Sequence, residues 1–153
     1  MPEFLETQHD KFTFRVATDR LYLAEGLWAL PLSPGRTARV RVGLTDFLQQ
    51  RSGDVAAVAV KATGTKLEVS QELAEVETIK ANVSVASPLA GTVVEVNPAL
   101  ARSPETVNED PYGAGWLAVI EATDWERDRT KLLEPAGYLA VVDAEAAKES
   151  ESP

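Results

Sequence analysis

Leu73-Ala-Glu-Val-Glu-Thr-Ile-Lys-Ala-Asn-Val-Ser-Val-Ala-Ser-Pro88 is the stretch whose reading decides the fold. Residues alternate in character up to Ile79, and the alternation resumes at Val83, the period-two pattern of half-buried strands. Between the two runs, Ile79-Lys80-Ala81-Asn82 reads as the tip of a hairpin. A lysine at such a tip is exposed and open to another enzyme. Carboxylates nearby, at Glu75 and Glu77, favour an ordinary protonated amine. A Schiff-base lysine needs the opposite surroundings, desolvation or a neighbouring cation. On spacing alone, a solvated turn lysine and a modified one both stand.

This stretch lies between two related segments. Gly64-Thr-Lys-Leu-Glu-Val-Ser-Gln-Glu-Leu73 and Gly91-Thr-Val-Val-Glu-Val-Asn-Pro-Ala-Leu100 share the opening Gly-Thr, the central Glu-Val and the closing Leu. Two copies are too few for a solenoid. They suit two strand–turn units related by an approximate two-fold axis.

Further outward, strands are predicted around 65–69, 92–96 and 116–121, and Val55–Val60 reads as a buried strand. Thr37–Val42 alternates, with Val40 and Val42 on one face. Leu30-Pro31 and Ser33-Pro34-Gly35 mark a bend. Thr45 caps a short helix over 45–51 that Gly53 stops. Thr123-Asp-Trp-Glu126 has capping-box spacing, with Thr123 as cap. It predicts a helix to about Leu133, ended by Pro135, and a last, fraying helix over Leu139–Glu149. Residues 1–15 are polar and read as a flexible segment, 16–142 as the folded domain, and 143–153 as a fraying tail. The class is mainly β with helical additions.

The chain has 153 residues, 44% of them hydrophobic, enough for one domain with a real core. No apolar run approaches the roughly 18 residues needed to cross a bilayer. The start, MPEFLETQHDKF, has no basic segment followed by an apolar one, so it reads as no secretory signal and the cytoplasm is the expected location. The net charge is −9, which disfavours nucleic acid and anionic membrane as partners. Cysteine is absent, so any thiol chemistry comes from a cofactor.

Enzymatic readings find little support. The only histidine, His9, lies in the polar N-terminal segment, which leaves no Ser-His-Asp arrangement or histidine metal site. Glu105, Glu109 and Asp110 read as loop and turn residues. Gly113 and Gly115 follow no strand and open no helix, so they form no phosphate loop. In Pro111-Tyr-Gly-Ala-Gly-Trp116 the glycines read as freeing the backbone, with Trp116 and Leu117 anchoring the next strand; a docking surface for partner proteins is the other reading.

Glu77-Thr-Ile-Lys-Ala81 resembles the lipoylation site of glycine cleavage H proteins, where an acidic residue stands three positions before the modified lysine. Three more motifs follow the family in order. They are Val42-Gly-Leu-Thr-Asp-Phe47 with Ser52-Gly-Asp54, then Ser87-Pro-Leu-Ala-Gly-Thr-Val-Val-Glu-Val-Asn97, then Pro104-Glu-Thr-Val-Asn-Glu-Asp-Pro-Tyr-Gly-Ala-Gly-Trp-Leu117. The likeness covers about residues 20–140. It implies a lipoyl-domain-like flattened β-barrel or sandwich with quasi-two-fold symmetry. It also implies a non-catalytic carrier with lipoic acid on Lys80, and Glu77, Ile79 and Ala81 forming the attachment motif. The implied partners are glycine decarboxylase, aminomethyltransferase, dihydrolipoyl dehydrogenase and a lipoate ligase or lipoyltransferase, and the implied state is a monomer. A long mobile arm on a fixed protruding point suits such a carrier, because the cofactor does the chemistry and the protein positions it.

Two departures mark the chain. Where the family has His-Glu-Trp, Tyr22-Leu-Ala-Glu-Gly-Leu-Trp28 keeps Trp28 but has Gly26 and Leu27. Four residues beyond the lysine, Ser84 replaces a common aspartate. The resemblance places those carboxylates where the arm rests its cationic aminomethyl cargo, and losing them removes charge-assisted hydrogen bonds. Beside the H-protein reading stand a divergent lipoate-binding carrier for another pathway, such as sulfur-compound oxidation, and an unlipoylated interaction module.

Overall fold

The computed structural model describes residues 3–151. In chain order the strands are β1 (Phe4–His9), β2 (Phe12–Ala17), β3 (Leu21–Leu23), β4 (Leu27–Pro31), β5 (Arg39–Leu44), β6 (Val55–Val60), β7 (Lys66–Leu67), β8 (Glu72–Thr78), β9 (Asn82–Ala86), β10 (Gly91–Val96) and β11 (Ala118–Ala122). The α-helices are α1 (Asp46–Ser52), α2 (Thr106–Glu109), α3 (Trp125–Asp128) and α4 (Pro135–Glu151), with 3-10 turns at Pro98–Ala101 and Arg129–Lys131.

A six-stranded antiparallel sheet runs in the order β3-β4-β5-β11-β10-β7, and a three-stranded sheet in the order β6-β8-β9. Both sheets feed one core. Val40, Val42, Val93 and Ile120 come from the first, and Leu73, Val76 and Val85 from the second, all nearly inaccessible to solvent. Each such side chain contributes about 1.5–3 kcal/mol by leaving water. The expected mainly-β sandwich with helical additions is what forms.

The two related segments meet each other. Gly91 pairs with Leu67 and Thr92 with Lys66. Gly64 N–H donates to Val93 O across 2.7 Å and Val93 N–H to Thr65 O across 2.9 Å. An antiparallel pair carries a local two-fold axis between its strands, so the repeat is expressed as quasi-symmetry. Gly91 is required by closeness, since a Cβ there would lie 2.3 Å from Glu121 O.

Several expectations are corrected. Residues 4–15, read as flexible, belong to the β1–β2 hairpin, in register from Phe4 opposite Ala17 to His9 opposite Phe12. Its two-residue turn puts Asp10 at φ 54, a conformation aspartate tolerates. The hairpin is not a free ribbon, because Phe14 and Val16 are buried against α4. Residues 1–2 and 152–153 lie outside the described residues.

Val55–Val60 is an edge strand rather than a buried one, and Ala56, Ala57 and Ala59 are exposed. The cap of α3 is Asp124, whose carboxylate accepts from Arg127 N–H, because Thr123 is still occupied in pairing with Ala90. Pro135 opens α4 instead of ending a helix; a proline lacks only an N–H that the first turn leaves unused. Residues 143–151, expected as fraying tail, continue that helix. Tyr138, Val142 and Ala146 recur at helical spacing and bury against Tyr22, Trp28 and Phe47. His9, read as part of the polar N-terminal segment, contacts Asp143 of α4 across 2.9 Å, and the Thr7 hydroxyl donates to the same carboxylate. Gly113 and Gly115 do not adopt positive φ. Close packing requires Gly115, where a Cβ would lie 2.6 Å from the backbone Thr106 O, whereas a Cβ at Gly113 would meet the Asp110 carboxylate, 2.5 Å from Oδ2. Leu117 is core, whereas Trp116 stays half-buried beneath the Arg41 guanidinium at 4.8 Å.

Candidate functional site

Strand β8 turns into β9 at Ile79-Lys80-Ala81, the tip read from the sequence, and Lys80 is exposed there. Thr78, buried, organises the turn. Its backbone N–H donates to Ala81 O across 2.8 Å, and its hydroxyl donates to the same oxygen across 3.0 Å. The hydroxyl oxygen accepts from Lys80 and Ala81 N–H, each at 3.2 Å. Ile79 N–H donates to Asp54 O across 3.2 Å and ties the tip to the end of α1. The Ile79 side chain is 75% exposed, so it leaves the strand alternation and projects beside the lysine.

The helix end below the tip is held in turn. Thr45 caps α1 by accepting from Leu48 N–H, and Gly53 ends it at φ 90. Asn108, from α2, donates to Gln49 Oε1 and Gly53 O and accepts from Val55 N–H. The Lys80 stem runs over Gly53, where a Cβ would lie 3.2 Å from Cε. Its Nζ donates to Arg51 O across 3.4 Å. The lysine therefore lies across the C-terminal end of α1, where the helix dipole favours a cation.

Glu77 and Glu75 are exposed on the outer face of the three-stranded sheet. Glu77 stands opposite Asn82 and Ala57, and Glu75 opposite Ser84 and Ala59. The Ser84 hydroxyl donates to Glu72 Oε1 across 2.7 Å. That bond, with the nearby Lys61 ammonium, holds the Glu72 carboxyl below its ordinary range. Ala81 is exposed at the tip. Lys80, Glu77, Ile79 and Ala81 are thus brought together, with Ala81 between the lysine and β9.

Beside Lys80 a groove of about 630 Å³ runs between α1, the tip and α4. Leu48, Val83, Tyr138 and Val141 form its apolar part, and Glu25 and Glu145 supply carboxylates. The Tyr138 hydroxyl, pushed up to about 12 by burial, shares a 2.8 Å hydrogen bond with Thr45. The positions that depart from the H-protein pattern do not line this groove. Gly26 is buried at φ +112, where a Cβ would lie 2.8 Å from Leu48 Cβ. Leu27 is core, and Ser84 faces Glu72. The two family carboxylates are absent at these positions, as read from the sequence, and Glu25 and Glu145 are the carboxylates that line the groove instead. Sequence reading missed both, and Thr78 and Asn108 as well. Only Thr78 carried a local signal, its inward register in β8.

A family profile described as Glycine cleavage H-protein matches residues 33–145. The glycine cleavage system H protein of Thermus thermophilus is 40% identical over 131 residues, spanning 86% of this chain and 98% of that protein. The corresponding protein of Coprothermobacter proteolyticus is 45% identical over 103 residues, 67% of this chain and 79% of its own. The crystal structure of a glycine cleavage system H protein from Mycobacterium marinum superposes with a TM-score of 0.73 at 31% identity, covering 82% of this chain and 97% of that one.

Proposed function

The chain belongs to the glycine cleavage H-protein family, and from that premise we infer that it is a lipoyl carrier whose arm is attached at Lys80. The observation that carries the reading is the tip itself. One lysine projects from a turn closed by the buried Thr78 and docked on Asp54, with open grooves beside it. These residues fit the group. An acyl chain joined to Nζ leaves one amide N–H, enough to keep the bond to Arg51 O. When bound, the lipoyl group supplies a disulfide that accepts an aminomethyl group and electrons.

The chain's own residues then position that arm. Thr78 fixes the turn, and Gly53 lets the lysine stem lie against the helix end. Glu77, three residues before Lys80 on the exposed face, serves recognition by the acylating ligase or transferase. Glu25 and Glu145 suit an aminomethyl cargo, since a protonated amine entering their groove meets carboxylates. This favours glycine decarboxylase, aminomethyltransferase and dihydrolipoyl dehydrogenase as partners visited in turn. No helix among the described residues is long and apolar enough to cross a membrane, which accords with work in the cytoplasm.

The test is acylation followed by exchange. With lipoate ligase, ATP and lipoate, the wild-type chain gains one lipoyl group by intact mass and Lys80→Arg gains none. The loaded protein then supports glycine–bicarbonate exchange with glycine decarboxylase. A Lys80→Arg protein acylated to the same extent would overturn the assignment of the site. Loading at Lys80 without exchange, beside a working H protein, would assign the carrier to a different cargo.

A further inference from the structure

Lys80 borders a second groove, on the other side of Arg51. It measures about 340 Å³ and is walled by Phe12, Phe14, Phe47, Gln50, Arg51 and Glu149 together with Lys80 itself. Phe12 and Phe14 come from β2 and Glu149 from the end of α4, all outside the segment 33–145 that the family profile matches. The three rings make one continuous wall. Phe12 stacks on Phe14 with centroids 6.2 Å apart, and Phe14 meets Phe47 edge-on at 5.0 Å. Arg51 and Glu149 form an ion pair at 3.2 Å between α1 and α4. Phe12 is left 48% exposed, an arrangement that burial against an apolar group would favour.

We propose that this aromatic groove is the berth of the uncharged, oxidised arm carried by Lys80. The proposal rests on the attachment assigned above. Two observations select the occupant. Because Lys80 lines the groove, whatever it carries is held at its mouth at high effective concentration, so weak contacts are enough to fill it. The lining also matches an acyl chain ending in a disulfide ring, since methylenes pack on phenyl faces and sulfur packs on ring edges. The groove on the other side of Arg51 carries Glu145, paired with Lys148 at 3.6 Å, and also Glu25, whose desolvation an uncharged arm would not compensate, whereas the one carboxylate of the aromatic groove, Glu149, is paired with Arg51. The N-terminal hairpin thereby acquires a role in holding the arm between visits, burying a disulfide that would otherwise be open to solvent and to stray reductants.

The experiment uses full-length protein loaded on Lys80, with loading confirmed by intact mass. Aromatic carbon–proton NMR spectra of unloaded and oxidised loaded protein are compared. The rate at which a water-soluble phosphine reduces the arm is measured in parallel. Loading is expected to shift the Phe12 and Phe14 ring signals. Phe12→Ser is expected to speed reduction by about threefold, the value for a berth filled roughly two-thirds of the time. Phe12→Leu, which keeps an apolar wall, is expected to hold the rate within about twofold of wild type. Shifts confined to the Tyr138 ring in the other groove, or reduction rates equal in wild type and Phe12→Ser, overturn the berth while leaving the carrier reading intact. A chain that the ligase leaves unmodified at Lys80 overturns both.

Discussion

Thr78 illustrates how much one buried hydroxyl does at a protruding site. Its hydroxyl oxygen accepts from two backbone N–H groups and its O–H donates to Ala81 O, so three hydrogen bonds from one side chain hold the three-residue tip closed. Thr78→Val keeps the shape and removes all three bonds. It is expected to cost about 1–2 kcal/mol in urea unfolding and to slow acylation of Lys80, because the ligase then meets a mobile tip. Gly43 shows a different constraint. A Cβ there would lie 2.6 Å from Trp28 Cζ2, and the Trp28 ring is fully buried with its Nε1–H bonded to Pro111 O at 2.9 Å. The indole cannot move aside without breaking that bond and leaving the Arg20 guanidinium stacked on it at 4.5 Å. Gly43→Ala is therefore expected to lose about 1–3 kcal/mol, read by denaturant titration and by a red shift of tryptophan emission.

At the scale of elements, the β1–β2 hairpin and α4 stabilise each other. The contact has an apolar part, Phe14 and Val16 against Val142 and Ala146, and a polar part at Asp143. The Thr7 hydroxyl, and next the His9 ring, hold the Asp143 carboxyl below its ordinary 3.8. A carboxyl whose folded value is depressed contributes stability above its unfolded value and loses it as pH falls through the folded one. The hairpin is therefore expected to loosen in acid below about pH 4, seen as faster amide exchange of β1. Asp143→Asn should abolish that acid step. Its effect at neutral pH should stay within about 1 kcal/mol, because the Asp143 side chain is 48% exposed and solvent screens the contact. The 17-residue α4 also brings Tyr138 to Thr45, the cap of α1. One helix thus supports both the hairpin and the helix on which Lys80 rests.

Across the whole molecule, two sheets around a shared core hold the tip at one end and leave grooves on both sides of Arg51. Much of this was legible in the chain itself. The alternation on either side of Ile79-Lys80-Ala81 located the hairpin and its exposed lysine. Thr45 and Gly53 bounded α1, and the Gly-Thr repeats announced two strands that pair about a local axis. Each of these signals is local, since side-chain period, cap chemistry and turn residues act within a few positions. The N-terminal hairpin was not legible, because its polar sequence gains order only by packing on α4, through contacts such as Thr7 with Asp143 that join opposite ends of the chain. Pro135 was misread because proline marks either end of a helix and only the packing of Tyr138 and Val142 selects which. The sequence by itself therefore determined the sheet grammar and the lysine at its tip. The surroundings of that lysine, Glu25 and Glu145 on one side and Phe12, Phe14 and Glu149 on the other, were decided by tertiary structure alone, since only the burial of α4 and the hairpin against a common core brings residues so distant in sequence to one place.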